Sequence, residues 1–252
     1  MLNKTVIDGD DINIYESRAL MGAAAAQAAA DTVNSLLKEQ NEVNMVFAAA
    51  PSQNEFLAAL TEQPIDWTRI NAFHMDEYIG LPAGSTAAFA YYLQKHLFEK
   101  VPFKAVHYLN GNATDALAEC NRYTKLLNDH PIDIVCMGIG ENNHIAFNDP
   151  PVADFKDAKT VKIVALDEAC RQQQVNDGCF ASFDEVPTHA LTLTVPALLN
   201  CKEIFCIVPG KRKAKAVFNT FNKPVTELYP STALRMHGNV RLFLDKDSAG
   251  LL

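Results

Sequence analysis

The stretch Gly138-Ile139-Gly140-Glu141-Asn142-Asn143-His144-Ile145-Ala146-Phe147-Asn148-Asp149-Pro150-Pro151 concentrates the groups that can move protons and hold a small polar ligand. It follows the apolar run 132–137, as a buried strand would be followed by a ligand-binding loop. His144 lies near acids and amides, and a carboxylate beside an imidazole can tune it for proton transfer near neutral pH. Gly138 and Gly140 allow backbone to approach a ligand. The longer dinucleotide pattern needs one more glycine, and Asn143 stands at that place.

A second group is Phe73-His74-Met75-Asp76-Glu77-Tyr78-Ile79-Gly80-Leu81. If the backbone is still extended there, Asp76 and Glu77 point to opposite sides, so one works in a given pocket and the other is structural. The plainer reading is a polar strand exit with capping acids. A third group, Pro209-Gly210-Lys211-Arg212-Lys213, puts cations in the first turn of a helix, against the macrodipole; an anion sharing the site with free N–H groups explains them better than a solvated turn. Ser52 and Gln53 follow another strand, where capping is the commoner use of such a serine. Arg171-Gln172-Gln173-Gln174 lines the same pocket or covers the surface.

Positioning these groups requires a scaffold that brings strand ends together. Apolar runs at 45–50, 70–75, 106–109, 132–137, 161–166, 191–195, 204–208 and 240–244 alternate with helical patterns, the longest an Ala-rich helix over 16–39. Strands separated by such helices imply crossovers, hence a doubly wound, Rossmann-like α/β fold with a largely parallel sheet and helices on both faces. With 252 residues, 48% hydrophobic, and no linker, repeat or low-complexity break, a single domain over 1–252 is expected.

A net charge of -8, from 22 basic against 30 acidic residues, gives no general pull toward nucleic acid or an anionic membrane. Any anion must meet a local cationic cluster. The six cysteines form no CxxC pair and are expected as free thiols. The first eight residues lack a signal-peptide pattern and the Ala-rich run 19–30 is too short to span a bilayer, so a soluble, cytoplasmic protein is expected.

Together, Met75-Asp76-Glu77-Tyr78-Ile79-Gly80-Leu81, Leu109-Asn110-Gly111-Asn112, Gly138-Ile139-Gly140 with His144-Ile145-Ala146-Phe147-Asn148, and Lys213 after its turn resemble the glucosamine-6-phosphate deaminase/isomerase family in order and spacing, over most of the chain. The wider superfamily includes 6-phosphogluconolactonases with a similar Gly-x-Gly…His loop. The resemblance implies that Asp76 moves a proton between C2 and C1 of an opened amino-sugar phosphate with release of ammonia, that His144 assists ring opening, and that Lys213 holds phosphate. It implies no metal or organic cofactor, a small sugar-phosphate partner, and either a monomer or a homo-oligomer. Three departures stand out. Asn142 replaces an acid and can only orient a group or water. Asp149 replaces a longer glutamate. The phosphate loop is Ala48-Ala49-Ala50-Pro51-Ser52-Gln53, with Gln174 at the place of an arginine, leaving Arg171 as a substitute cation and Glu141 as a substitute acid. Two rivals compete: a lactonase, which has no use for a base at C2, and a non-catalytic sugar-phosphate sensor, whose usual DNA-binding arm has no basic helical counterpart here.

Overall fold

The computed structural model describes every residue except Leu2, Asp8 and Gly9, with the side chains of residues 3–7 and 10 also left aside; part of the segment read for a signal pattern therefore lies outside the described residues. The chain forms β1 (Asn3–Ile7), β2 (Asp10–Tyr15), α1 (Arg18–Glu39), β3 (Val43–Phe47), α2 (Asn54–Thr61), β4 (Ile70–His74), β5 (Asp76–Tyr78), α3 (Phe89–Leu93), β6 (Ala105–His107), α4 (Ala116–Asp129), β7 (Ile134–Met137), β8 (Val161–Ala165), α5 (Glu168–Asn176), β9 (His189–Leu193), α6 (Val195–Leu199), β10 (Glu203–Val208), α7 (Ala214–Asn222) and β11 (Val240–Asp245).

Eight strands make one sheet in the order β1-β2-β11-β10-β7-β3-β4-β6, parallel except for the β1–β2 edge pair. Its central strands β3, β4, β7 and β10 bury both faces, and successive residues of a strand face opposite layers. In β10, Phe205 and Ile207 join the core under α1 and α2, while Ile204, Cys206 and Val208 join the core under α4 and α7. Ile134 and Cys136 of β7 and their neighbours Val135 and Met137 divide in the same way. Period-two alternation inside an unbroken apolar run is thus what splits the hydrophobic residues into two layers.

Helix α1 begins two residues later than the composition predicts because Ser17 caps it, accepting from the Leu20 N–H. Its small residues allow close packing. A Cβ added at Gly22 would sit 2.7 Å from the backbone carbon of Glu55, so glycine there sets the α1–α2 distance.

The runs 161–166 and 191–195 do form strands, β8 and β9, but outside the main sheet. They pair antiparallel with each other, and β9 pairs antiparallel with β5, in a separate three-stranded sheet. An apolar run specifies burial and not the neighbour it pairs with. Among the described residues, no helix is long and apolar enough to cross a membrane, and all six cysteines are free thiols.

Candidate active site

Going outward from β3, one branch of the winding adds β4 and β6 and the other adds β7, β10 and β11, so the direction reverses between β3 and β7. Ligands of doubly wound sheets bind beyond the carboxyl ends of the strands at such a switch point. The segments leaving β3, β4, β7 and β10 line a cleft, open to solvent, at that place. Its walls include Ser52 and Gln53 after β3, Asp76 after β4, Gly138, Gly140 and His144 after β7, and Lys213 after β10. Seven of the residues singled out in the sequence are therefore brought together.

Asp76 is held from behind. His74 is completely buried, and its Nε2 accepts from the Leu109 N–H at 2.9 Å, which leaves the proton on Nδ1 to donate to the Asp76 carbonyl at 3.0 Å. Burial lowers the His74 pKa to about 4, so the ring stays neutral and this arrangement persists at physiological pH. Asp76 is 7% exposed. Burial first, and the charge of Glu77 second, push its pKa well above the carboxylate range.

Strand β5 is extended, so Asp76 and Glu77 diverge as its geometry requires. Glu77 does not reach the cleft wall. Its carboxylate accepts from the N–H groups of Tyr78, Phe89 and Ala90 at 2.9, 3.0 and 2.8 Å, tying β5 to the start of α3. Burial pushes its pKa to about 7 against the lowering effect of those donors. Of the two acids, Glu77 is thus the structural one and not a ligand contact: its carboxylate is spent on backbone.

The loop after β7 is shaped around His144. Asn143 takes a left-handed φ of 69°, which asparagine tolerates best after glycine, and its amide nitrogen is fixed by Ala216 O and Ser231 Oγ, both at 2.8 Å. Ala146 also has positive φ, 47°, a strained conformation for alanine. A Cβ at Gly140 would lie 2.3 Å from the imidazole, and one at Gly138 would lie 3.1 Å from Gln53 Nε2. These glycines thus make room for the protein's own side chains as well as lining the cleft.

Behind His144, Asp149 Oδ1 stands 3.1 Å from Nδ1, yet Nδ1 has no well-directed hydrogen bond. Asn142 bridges the pair, donating to Asp149 Oδ1 at 3.0 Å and accepting the His144 N–H at 3.2 Å. Burial alone would raise the Asp149 pKa, but contact with His144, the Asn142 amide and the Asp167 N–H hold it below its ordinary value. An ionised, buried Asp149 orients the ring. Asn142 and Asp149 therefore sit behind the wall and not on it.

At the opposite end, Lys213 is 8% exposed and burial lowers its pKa, opposed by Asp177 and Glu141. Among the described residues lining the cleft it is the single cationic side chain. Arg171 is not brought there: its guanidinium donates to Phe183 O and Val186 O at 2.9 and 2.8 Å and stacks 4.0 Å over the Phe183 ring. Its neighbours Gln173 and Gln174 face the cleft instead. Glu141 turns toward Arg212, 3.4 Å away, rather than into the space beside His144. The hydrophobic lining from Met75, Phe89 and Phe147 was not anticipated as part of the site. Phe147 adjoins the His144 motif, and Phe89 is recognisable only once α3 is placed.

Residues 16–243 match the family model described as glucosamine-6-phosphate isomerases/6-phosphogluconolactonase. The chain belongs to this family. It is 38% identical over 212 residues to a glucosamine-6-phosphate deaminase of Listeria welshimeri, covering 84% of this chain and 88% of that protein. It is 36% identical over 220 residues to the one from Streptococcus sanguinis, covering 86% and 92%. A solved monomeric glucosamine-6-phosphate deaminase superposes with a TM-score of 0.86 at 29% identity, over 96% of this chain and 99% of that one. The 6-phosphogluconolactonase of Trypanosoma brucei superposes at 0.80 with 17% identity, over 99% and 100%, a likeness of fold.

Proposed function

We propose that this chain, acting as one domain over 1–252, is a cytoplasmic enzyme that converts glucosamine 6-phosphate, or a close amino-sugar 6-phosphate, into the ketose phosphate and ammonia. The observation that carries the reading is Asp76: a buried carboxylate of raised pKa, pointing into the cleft from the end of a rigid strand, with its backbone held by His74. Such a group suits the removal of a weakly acidic carbon-bound proton.

Lys213 and the Ser52 hydroxyl form the anion end. A phosphate held there directs the other end of the opened sugar toward Asp76 and His144. His144, oriented by Asp149, relays the proton between the ring oxygen and the anomeric hydroxyl as the ring opens. Asp76 then takes the C2 proton, exchanges it in part with solvent and delivers a proton to C1, while the ammonium at C2 passes one to O1. The nitrogen at C2 becomes an imine, water adds to that carbon, and ammonia leaves. A lactonase would need the imidazole to activate water against an ester and would leave Asp76 idle.

Purified protein should release ammonia and ketose phosphate in equal amounts from glucosamine 6-phosphate. Hydrolysis of 6-phosphogluconolactone, with no turnover on any amino-sugar phosphate, would replace this reading by the lactonase one.

A further inference from the structure

Three side chains from two segments converge behind the cleft: His144 and Asp149 from the loop after β7 and Cys170 from α5. An imidazole nitrogen, a carboxylate oxygen and Sγ all lie within 4.8 Å of one another. The three residues are 9, 0 and 1% exposed, and Nδ1 is buried without a directed hydrogen bond. The proposed reaction uses His144 and Asp149 and gives the thiol no task.

An imidazole nitrogen, a carboxylate oxygen and a thiolate sulfur form a donor set for Zn2+ or Co2+, whereas Mg2+ and Ca2+ prefer oxygen alone. A tetrahedral zinc ion, with bonds of about 2.0 to 2.3 Å, holds such donors roughly 3.3 to 3.7 Å apart. Nδ1 and Oδ1 already stand at 3.1 Å. Closing the cluster needs the sulfur to advance by at most roughly 1 Å, a small adjustment toward zinc geometry. Three protein donors leave the fourth position of a tetrahedral ion for water.

We infer that His144, Asp149 and Cys170 form a site for a thiophilic divalent cation of the zinc class, and that the bound ion silences the enzyme by occupying its imidazole and carboxylate. On binding, the Cys170 S–H bond breaks, a sulfur–metal bond forms, and the proton passes to water, with no change of oxidation state. The binding stands on the cluster's geometry. The inhibitory consequence rests on the role proposed for His144.

Cobalt alone serves as the visible probe. Titrating the reduced full chain with Co2+ should give one equivalent of a thiolate-to-cobalt charge-transfer band that Zn2+ displaces. Cys170→Ser should lose that band and weaken Zn2+, measured by competition, by more than about tenfold, a loss that even outer-shell changes inflict on zinc sites. Asp149→Asn, which keeps the thiol, should weaken Zn2+ by a similar factor and covers the case in which Cys170→Ser does not fold. Neither readout involves substrate, so absence of deaminase turnover and absence of metal binding are separate results. In the activity arm, inhibition of the parent by Zn2+ should need at least about tenfold more ion in Cys170→Ser. No cobalt binding by the parent would overturn the proposal. So would a band of undiminished intensity in Cys170→Ser, placing the ion elsewhere, for instance at Cys201, whose sulfur is 3.6 Å from His237 Nε2.

Discussion

Replacing Asp76 by asparagine keeps the shape of the side chain and removes its ability to accept a proton. General-base catalysis contributes about 10² to 10⁴ in rate, so kcat should fall by that factor, roughly 3 to 5.5 kcal/mol of barrier. Stability should move the other way. The Asp76 pKa is raised in the folded state by burial and by Glu77. Its contribution to stability is therefore full below the ordinary carboxylate pKa and is lost as pH rises through the folded value. Asparagine escapes that loss, and the variant should melt at or above the parent temperature at neutral pH. Initial rates of ammonia release and a thermal melt of the same preparations test both halves. Turnover within tenfold of the parent would refute the assignment of the base. A melting temperature lower by more than about 4 °C would mean that Asp76 holds the fold, since that corresponds to roughly 1 to 2 kcal/mol in a chain of this size.

Three further outcomes follow from the geometry. Glu77, with its pKa raised from 4.5 to about 7, contributes stability that is complete below pH 4.5 and lost as pH rises through 7. The loss is about 3 kcal/mol and Glu77→Gln should flatten it, as urea midpoints across that range would show. Lys213→Gln should raise KM about 10- to 100-fold with a smaller change in kcat, the cost of one charge-assisted hydrogen bond to an anion. Gly140→Ala and Gly22→Ala should separate function from stability. The first drives a methyl to 2.3 Å from the His144 ring and should reduce kcat. The second, 2.7 Å from the Glu55 backbone, should cost roughly 1 to 3 kcal/mol in unfolding experiments and leave the kinetic constants of folded enzyme alone.

The sheet was legible because strands buried on both faces leave continuous apolar runs such as 134–137, and the cleft followed from where those runs end. Pairing was less legible. The runs 161–166 and 191–195 read as strands like the others but belong to the small antiparallel sheet, and β5 is three residues long with two acids. Charged side chains were the hardest to place. Arg171 and Glu77 have the right chemistry for a ligand, but nearby carbonyl and N–H groups claim them, and those partners come from segments 12 to 15 residues away in sequence. Cys170 shows the reverse. Its sequence context suggests an ordinary buried thiol, and its position beside His144 and Asp149 emerges only in three dimensions.

Hydrogen exchange at C2 is the most direct test of the central claim that Asp76 is a carbon base on an amino-sugar phosphate. With glucosamine 6-phosphate in deuterated water, proton NMR should show loss of the substrate's C2 hydrogen and deuterium at C1 of the ketose phosphate, both abolished in Asp76→Asn. Product formed with its C1 position fully protonated by solvent-independent transfer, and equally well by Asp76→Asn, would contradict it.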